Sequence, residues 1–431
     1  MSRIFRFNQT FYIRIPLLVT FTILPIISVL ILKHAGNFES SILGLDFLMT
    51  RSEKQILWFL IGFLSFITSQ YIRIRFFNEK IYILYFLTII LLVLPFFGDA
   101  IKGAQNWIFG FQPSEFGKII IVMALSKYLS DNKSKINNLK TIFISFLIII
   151  LPALIFLNQR DIGTALVYFS IFLPMLYWVG LKSEYCFIIF SPIAAGFISI
   201  LFNVYDVYNK DITIPMITLG FWLLVNFIFL SINLRKKINS VLIITLILAT
   251  NIVSTLSCDI LWEYLDKSNL NHVKNRIENF VVPSLNPQAG GYQVAQSKIA
   301  VGSGGIFGLG LGEVNQVELQ YVPEADTDFI VSSIGESLGF VFILLIILTY
   351  INMFYWLLDY ASKARNLFQS LMIVGYCSML FFNCIIALGM VVGIAPVTGL
   401  PAPLLSYGGT FTLSCFIMFG LCNNISNNNN L

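Results

Sequence analysis

The sequence predicts an all-α polytopic membrane protein with about ten to twelve transmembrane helices and a large extracytoplasmic loop. Hydrophobic residues make up 57% of the 431 residues, and the mean hydropathy is +0.82. A water-soluble domain does not need so much apolar surface. Apolar stretches long enough to cross a bilayer recur from end to end, whereas only 11% of the residues are charged.

Twelve apolar stretches are predicted to span the membrane, and the fourth is the weakest because Glu115 and Lys118 lie inside it. The first is too long for a cleavable signal peptide and lacks a small-residue cleavage site. We expect one membrane domain over 1–422 and a disordered, Asn-rich tail at 423–431. The stretches are 15–32, 55–72, 81–97, 114–130, 141–157, 162–180, 185–203, 213–233, 238–256, 329–352, 368–393 and 405–423.

Basic residues predict the orientation of these spans. If Arg3, Arg6 and Arg14 lie in the cytoplasm, the alternate loops that are rich in Lys and Arg fall on the same side, as the positive-inside rule requires. Both termini are then cytoplasmic, and the longest segment between spans, 257–328, is extracytoplasmic. The net charge of +5 is spread over these loops, so no nucleic-acid partner is expected.

Four outer loops carry the most unusual sequence. They are 98–113, 158–161, 257–328 and 396–409, and the last is rich in Pro and Gly. Helix breakers at membrane depth are tolerated where the backbone lines a protein or water cavity. The four loops are therefore predicted to converge on one outward-facing site.

Three carboxylates lie within five residues, Glu324, Asp326 and Asp328, directly before a long apolar run. Acidic groups at a membrane edge are costly to desolvate, so this cluster indicates a site. The alternative is an ordinary polar loop in which Asp326 or Thr327 caps the next helix.

Two other patterns point away from cofactor sites. The Gly-rich run Gly302–Gly312 does not fit the G-x-G-x-x-G motif in any frame, so we predict close backbone packing of a re-entrant or interfacial segment. His34 and His272 are the only histidines, which excludes a His-based metal cluster.

Several sequence segments lie in a fixed order along the chain, namely Gly103–Trp107 with Gln112–Lys118, Gln159–Ala165, Asn286–Lys298, Ile299–Gly305, Pro323–Phe329 and Val397–Gly409. In sequence and in order, these segments resemble the SEDS family (shape, elongation, division and sporulation proteins, such as RodA, FtsW and SpoVE). The ordered set spans roughly three hundred residues and is far more specific than any single motif. A further stretch, Gly389–Pro401, is more similar to the elongation branch, RodA, than to the division branch, FtsW.

The resemblance implies a peptidoglycan polymerase that joins lipid II, a lipid-linked disaccharide-peptide, into glycan strands during cell elongation and cell-shape maintenance. It also implies a bacterial cytoplasmic membrane and, as partners, a class B penicillin-binding protein and other elongation-complex membrane proteins. The family's catalytic aspartate is present as Asp328, a base for the attacking C4 hydroxyl. The alternatives are a lipid II flippase, a division-branch polymerase and a scaffold that only recruits an enzyme.

Cations or backbone donors should face the pyrophosphate leaving group. Lys118, Arg276 and Lys298 are candidates for phosphate contacts under the resemblance, and Arg160 is a substitute for an arginine that the family has elsewhere. Glu115 lies three residues before Lys118 on one helical face, so the two can pair, either in catalysis or as a buried ion pair that holds two helices.

The remaining acidic residues are expected to support the site. Asp161 is predicted to orient a loop by hydrogen bonding, and Glu324 is a supporting candidate. Asp326 is the rival base, or shares a divalent cation such as Mg²⁺ or Mn²⁺ with Asp328, because hard cations prefer oxygen ligands. No other cofactor is expected, since the activated donor already carries its leaving group.

The chain also departs from the family pattern. The family usually has ten spans, so two extra helices are expected within 185–256. Asn106 stands where the family usually has arginine, Arg160 where it has proline, Asp326 where it often has histidine, and Ala387 where it commonly has asparagine. These changes alter the set of cations around the expected substrate phosphates.

Overall fold

The computed structural model describes residues 13, 15–34, 39–42, 45–98, 105–108, 110–207, 212–235, 240–267, 271–282, 290–312 and 321–428. Within these ranges lie fourteen α-helices and one short β-hairpin, so the all-α prediction is confirmed. In chain order they are α1 (Ile15–His34), β1 (Glu39–Ile42), β2 (Leu45–Thr50), α2 (Arg51–Gln70), α3 (Ile74–Val93), α4 (Pro113–Asp131), α5 (Leu139–Asn158), α6 (Ile162–Val179), α7 (Ser183–Val207), α8 (Thr213–Arg235), α9 (Ser240–Lys267), α10 (Asn271–Val281), α11 (Gly290–Gly304), α12 (Ile330–Ser362), α13 (Leu367–Val392) and α14 (Gly409–Asn428).

Every predicted span overlaps one of these helices. Seven helices among the described residues are long and apolar enough to cross a membrane, namely α1, α3 with the turn that follows it, α5, α6, α7, α12 and α13. By contrast, α2, α4 and α14 carry buried polar or charged side chains, and they pack against other helices. The chain is a multi-pass membrane protein.

The chain separates into two compact units. The first comprises residues 1–180 and 292–431, and the second comprises 181–291. In the first unit α2 packs along α14, α12 along α13, and α13 also against α4 and α6. In the second unit α7 packs along α9, and Val204, Trp262 and Val282 form a buried apolar cluster.

The segment 257–328, predicted as one large extracytoplasmic loop, contains helical structure. Helix α9 continues to Lys267, and two further helices, α10 and α11, follow it. At 1.5 Å per residue, the 28 residues of α9 measure about 42 Å, more than the roughly 30 Å thickness of a hydrocarbon core. A prediction of spans from hydropathy therefore ends this helix too early.

The close backbone packing predicted for the Gly-rich run is confirmed. Helix α12 is kinked at Gly339, whose φ is 79° and whose ψ is −177°. The N–H of Gly310 donates to the Ser337 carbonyl at 3.0 Å, and that of Phe340 donates to the Gly305 carbonyl at 3.0 Å. The run therefore satisfies backbone groups that the kink of α12 leaves without helical partners.

The predicted disordered tail is wrong up to Asn428, because α14 continues to that residue. Asn423 and Asn424 are buried, and the Asn424 amide donates to the carbonyls of Ser69 and Ile72 at 2.9 and 2.8 Å. The Ser69 carbonyl lies in the last turn of α2 and the Ile72 carbonyl two residues after the helix, where helical hydrogen-bond donors run out. The low-complexity sequence thus caps a neighbouring helix.

Candidate active site

The carboxylate segment, defined as Tyr321–Ile330, folds as consecutive turns that enter α12. Glu324 adopts a φ of 55°, in the left-handed region. Its carbonyl oxygen accepts hydrogen bonds from the N–H groups of Thr327 and Phe329, each at 3.1 Å, and its carboxylate accepts one from the Thr327 hydroxyl at 3.1 Å. Glu324 therefore shapes the segment that presents the two aspartates.

The start of α12 fixes the other end of this segment. The Ser333 hydroxyl donates to the Ala325 carbonyl at 2.7 Å. The N-cap residue is Phe329, without a side-chain capping bond, so the alternative in which Asp326 or Thr327 caps this helix is wrong. The aspartate side chains are used for other contacts.

The two aspartates have different surroundings. Asp326 is 7% exposed, and its carboxylate forms an ion pair with Arg51, the first residue of α2. The Arg51 guanidinium lies 5.9 Å from the centre of the Tyr407 ring. Asp328 is partly exposed, and a Cβ atom at Gly399 would lie only 3.5 Å from its Oδ2 atom. Asp328 therefore faces the backbone of the Pro/Gly loop, 396–409.

Backbone and hydroxyl contacts attach the Pro/Gly loop to the carboxylate segment. The N–H of Tyr407 donates to the Asp326 carbonyl at 3.0 Å, and the Ser406 hydroxyl donates to the Thr327 carbonyl at 2.6 Å. Both partners in the segment lie within two residues of Asp328. The position of the loop and the position of this carboxylate are therefore linked.

Asp161 brings two further loops to the Pro/Gly loop. It is the N-cap of α6, where its carboxylate accepts from the N–H and the hydroxyl of Thr164 at 2.9 and 2.8 Å. The Asn106 amide donates to the same carboxylate at 2.7 Å. A Cβ atom at Gly163 would lie 2.7 Å from the Thr398 carbonyl oxygen, so glycine permits the approach of α6 to the loop. The described parts of these loops and the carboxylate segment therefore lie in contact with one another, whereas the outward orientation of the site stays a prediction.

Glu115 and Lys118 form the predicted pair in α4. Their Oε1 and Nζ atoms are 2.7 Å apart, and the side chains are only 4% and 1% exposed. The ammonium also lies 5.6 Å from the centre of the Phe411 ring. Within the described residues, the second oxygen, Oε2 of Glu115, is buried without a hydrogen-bond partner. Removing either partner would leave the other charge buried and uncompensated, which is costly in free energy.

The other predicted cations are exposed. Lys298 lies on α11, and its Nζ atom would be 2.8 Å from a Cβ atom at Gly393, directly after α13. Arg160 has a φ of 61° in the turn before α6. Arg276 is an exposed residue of α10, in the second unit. Their proposed phosphate contacts stay predictions.

Arg51 is a residue of this site that no sequence motif identifies. The available signal is an arginine four residues before the predicted span 55–72, on the side assigned to the outer loops. The sequence also does not predict the role of Asn106, which it indicates only as the absence of a cation. The structure shows an amide that donates to Asp161 instead.

A shared metal ion at Asp326 and Asp328 stays a prediction. Within the part of the chain that the structure describes, no group of three or more His, Cys, Asp or Glu side chains is arranged to hold a metal ion. Arg51 already neutralises Asp326, which reduces the negative charge available to a cation.

Comparison with known proteins identifies relatives along almost the whole chain. The sequence matches the family model named for FtsW, RodA and SpoVE and described as cell cycle protein, over residues 9–214 and 212–431. It is 29% identical to the peptidoglycan glycosyltransferase RodA of Treponema pallidum over 429 residues, covering 95% of this chain and 96% of that protein. It is 28% identical over 436 residues to the probable peptidoglycan glycosyltransferase FtsW of Trichlorobacter lovleyi, with coverages of 98% and 94%.

A solved structure has the same fold. It is described as the structural coordination of polymerization and crosslinking by a peptidoglycan synthase complex. The chain in it that matches has a TM-score of 0.65 and is 21% identical in sequence to this chain. The match covers 95% of this chain and 96% of that chain. The RodA and FtsW relatives are nearly equally similar, so the elongation branch stays a prediction. The chain itself belongs to the FtsW, RodA and SpoVE family of cell cycle proteins.

Proposed function

We propose that this protein is a peptidoglycan glycosyltransferase that polymerises lipid II at the outer face of the bacterial cytoplasmic membrane. The observation that carries the proposal is the partly exposed carboxylate of Asp328, which lies next to the backbone of the Pro/Gly loop at Gly399. The family supports it, because relatives named as glycosyltransferases align with nearly the full chain.

Asp328 acts as the general base in this proposal. The C4 hydroxyl of one sugar attacks the anomeric carbon of another and forms the new C–O bond. The bond from that carbon to the pyrophosphate oxygen breaks, and the polyprenyl pyrophosphate leaves with the electron pair. Asp328 takes the hydroxyl proton, because an unassisted hydroxyl is a poor nucleophile at neutral pH.

The negative charge on the leaving group needs positive partners. Lys298 is an exposed cation of the first unit, near the end of α13, and it suits a mobile phosphate. Lys118 is held by Glu115 and stabilises charge from a fixed position. Arg276 and Arg160 are weaker proposals because both are exposed residues. A divalent cation at Asp328 is an alternative source of positive charge.

Orientation and partners follow from the same proposal. The positive-inside rule places both termini in the cytoplasm and the carboxylate segment outside. A class B penicillin-binding protein would crosslink the new strands, in line with the synthase complex that shares this fold. The similarity of Gly389–Pro401 to the elongation branch supports a role in cell-shape maintenance.

The experiment is polymerisation by the purified chain in proteoliposomes that contain fluorescent lipid II, followed by gel separation of the glycan chains. We expect a ladder of polymers that is destroyed by a muramidase. Transfer of labelled lipid II between leaflets without polymer would support a flippase instead. A protein that neither transfers nor polymerises lipid II, alone or with its penicillin-binding partner, would contradict an enzymatic role.

A further inference from the structure

We infer that Arg51 and Asp326 form a positioning pair, which holds the Pro/Gly loop and the start of α2 around Asp328. The inference rests on the proposed function in that Asp328 is the base. It assigns Asp326 neither proton transfer nor metal binding. It also gives a role to Arg51, which no motif identified.

The first step is the placement of Arg51. The hairpin β1–β2 leads directly into α2, and Thr50 is the N-cap. A capping box fixes this turn, because the Thr50 hydroxyl accepts from the N–H of Glu53 at 3.4 Å while the Glu53 carboxylate accepts from the N–H of Thr50 at 2.8 Å. Arg51 therefore extends from a fixed backbone, and its guanidinium reaches Asp326.

The second step is the set of contacts between α2, the end of the Pro/Gly loop and the start of α14. The Gln55 amide oxygen accepts from the N–H of Gly408 at 3.4 Å, and its nitrogen donates to the Thr412 hydroxyl at 3.4 Å. A Cβ atom at Gly409 would clash with the Trp58 ring of α2, so the start of α14 packs directly against this ring. The first turns of α2 and the end of the loop thus form one packed body.

The third step connects this body to the base. The N–H of Tyr407 donates to the carbonyl of Asp326, and the Tyr407 ring lies near the Arg51 guanidinium. Asp326 is therefore linked to the loop in two ways. Its side chain pairs with Arg51, which lies beside the Tyr407 ring, and its main-chain carbonyl accepts from the N–H of Tyr407. Asp328 lies two residues further on, against Gly399 of that loop. Loss of the ion pair removes the charged link and leaves a carboxylate with 9% side-chain exposure unpaired.

The carboxylate at position 326 neutralises Arg51, which a neutral side chain there would not do. The pair is exchangeable in principle, since the inference needs opposite charges and not a particular order of residues.

The test uses Arg51→Gln, Asp326→Asn, the double variant Arg51→Gln/Asp326→Asn and the exchange Arg51→Asp/Asp326→Arg. The matched control is Asp359→Asn, which removes a partly exposed carboxylate paired with the exposed Lys363 at 2.7 Å. Polymerisation of fluorescent lipid II gives kcat and KM for each purified protein. We expect each single variant to lower kcat about 10- to 100-fold at constant KM, because a small misplacement of a reacting group has this effect. The neutral double variant should lose no more than the worse single variant, and the exchange should recover activity.

A second measurement does not depend on enzymatic activity. Asp328→Cys is introduced after serine replaces Cys186 and Cys258, the two partly exposed cysteines, while the other four are buried. Labelling by an impermeant maleimide then reports how the loop covers position 328. We expect several-fold faster labelling in the Arg51→Gln and Asp326→Asn backgrounds and no change with Asp359→Asn.

Each other outcome overturns the inference. Unchanged labelling in both single backgrounds means that the pair does not position the loop, whether or not the wild type polymerises lipid II. A raised KM at constant kcat means that Arg51 binds substrate. Recovery of Asp326→Asn by added Mg²⁺ or Mn²⁺ means that Asp326 is a metal ligand. If a neutral variant does not fold, the exchange Arg51→Asp/Asp326→Arg is labelled in its place: labelling as slow as in the wild type is expected, and several-fold faster labelling overturns the inference.

Discussion

Breaking the pair between Glu115 and Lys118 should destabilise the protein far more than breaking an exposed pair on the same helix. Lys118→Met leaves the Glu115 carboxylate, with 4% side-chain exposure, without its cation. Removing one partner of a buried ion pair typically costs about 3–5 kcal/mol. The matched control is Lys127→Met, which breaks the pair with Asp131 at 3.0 Å, where the side chains are 22% and 46% exposed. Exposed pairs contribute about 0–1 kcal/mol.

The free energy of unfolding can be measured by SDS titration in mixed micelles, followed by far-UV circular dichroism. Adding Glu115→Gln to Lys118→Met should recover most of the loss, since no uncompensated charge then stays buried. The same variants separate stability from catalysis. If Lys118 also stabilises the leaving group, the double variant regains stability but not polymerisation. A cost for Lys118→Met no larger than that for Lys127→Met would refute the reasoning.

Two further predictions concern the supporting structure. Asp161→Ala removes the N-cap of α6 and the partner of Asn106, so we expect a loss of about 1 kcal/mol in SDS unfolding and reduced polymerisation, whereas Arg160→Ala should leave the free energy of unfolding unchanged. Truncation after Cys422 removes the asparagines that cap α2 and should lower the unfolding free energy measurably, whereas truncation after Asn428 should be neutral; equal effects of the two truncations would contradict the capping role.

Hydropathy predicts most of the helices because a bilayer demands long apolar stretches, and each predicted span overlaps a helix. The Gly-rich run was predictable in kind, since repeated glycines indicate close backbone approach. The kink at Gly339, against which this run packs, could not be predicted, because no local sequence pattern in α12 indicates a break at that residue. Long-range pairing between two backbones leaves no signal in either segment alone.

The carboxylate segment was visible as an unusual concentration of charge, but the role of each member was not. Asp326 and Asp328 are equivalent in local sequence. They differ because Arg51, distant in the chain, forms an ion pair with the first, while Gly399 lies against the second. The asparagine-rich tail misled for a related reason. Its composition favours disorder, yet amide groups are suited to satisfying the last carbonyls of a neighbouring helix.

In the proposed function, Asp328 is the base of a lipid II polymerase. The most direct measurement compares Asp328→Asn with Asp326→Asn as purified proteins, using fluorescent lipid II and gel analysis of glycan chains. The amide is nearly isosteric but cannot accept the proton, so Asp328→Asn should lower kcat by about 10²–10⁴-fold while lipid II binding and SDS stability stay unchanged. Asp326→Asn should retain measurable turnover. Normal polymerisation by Asp328→Asn, with the loss confined to Asp326→Asn, would contradict the account and move the base to Asp326.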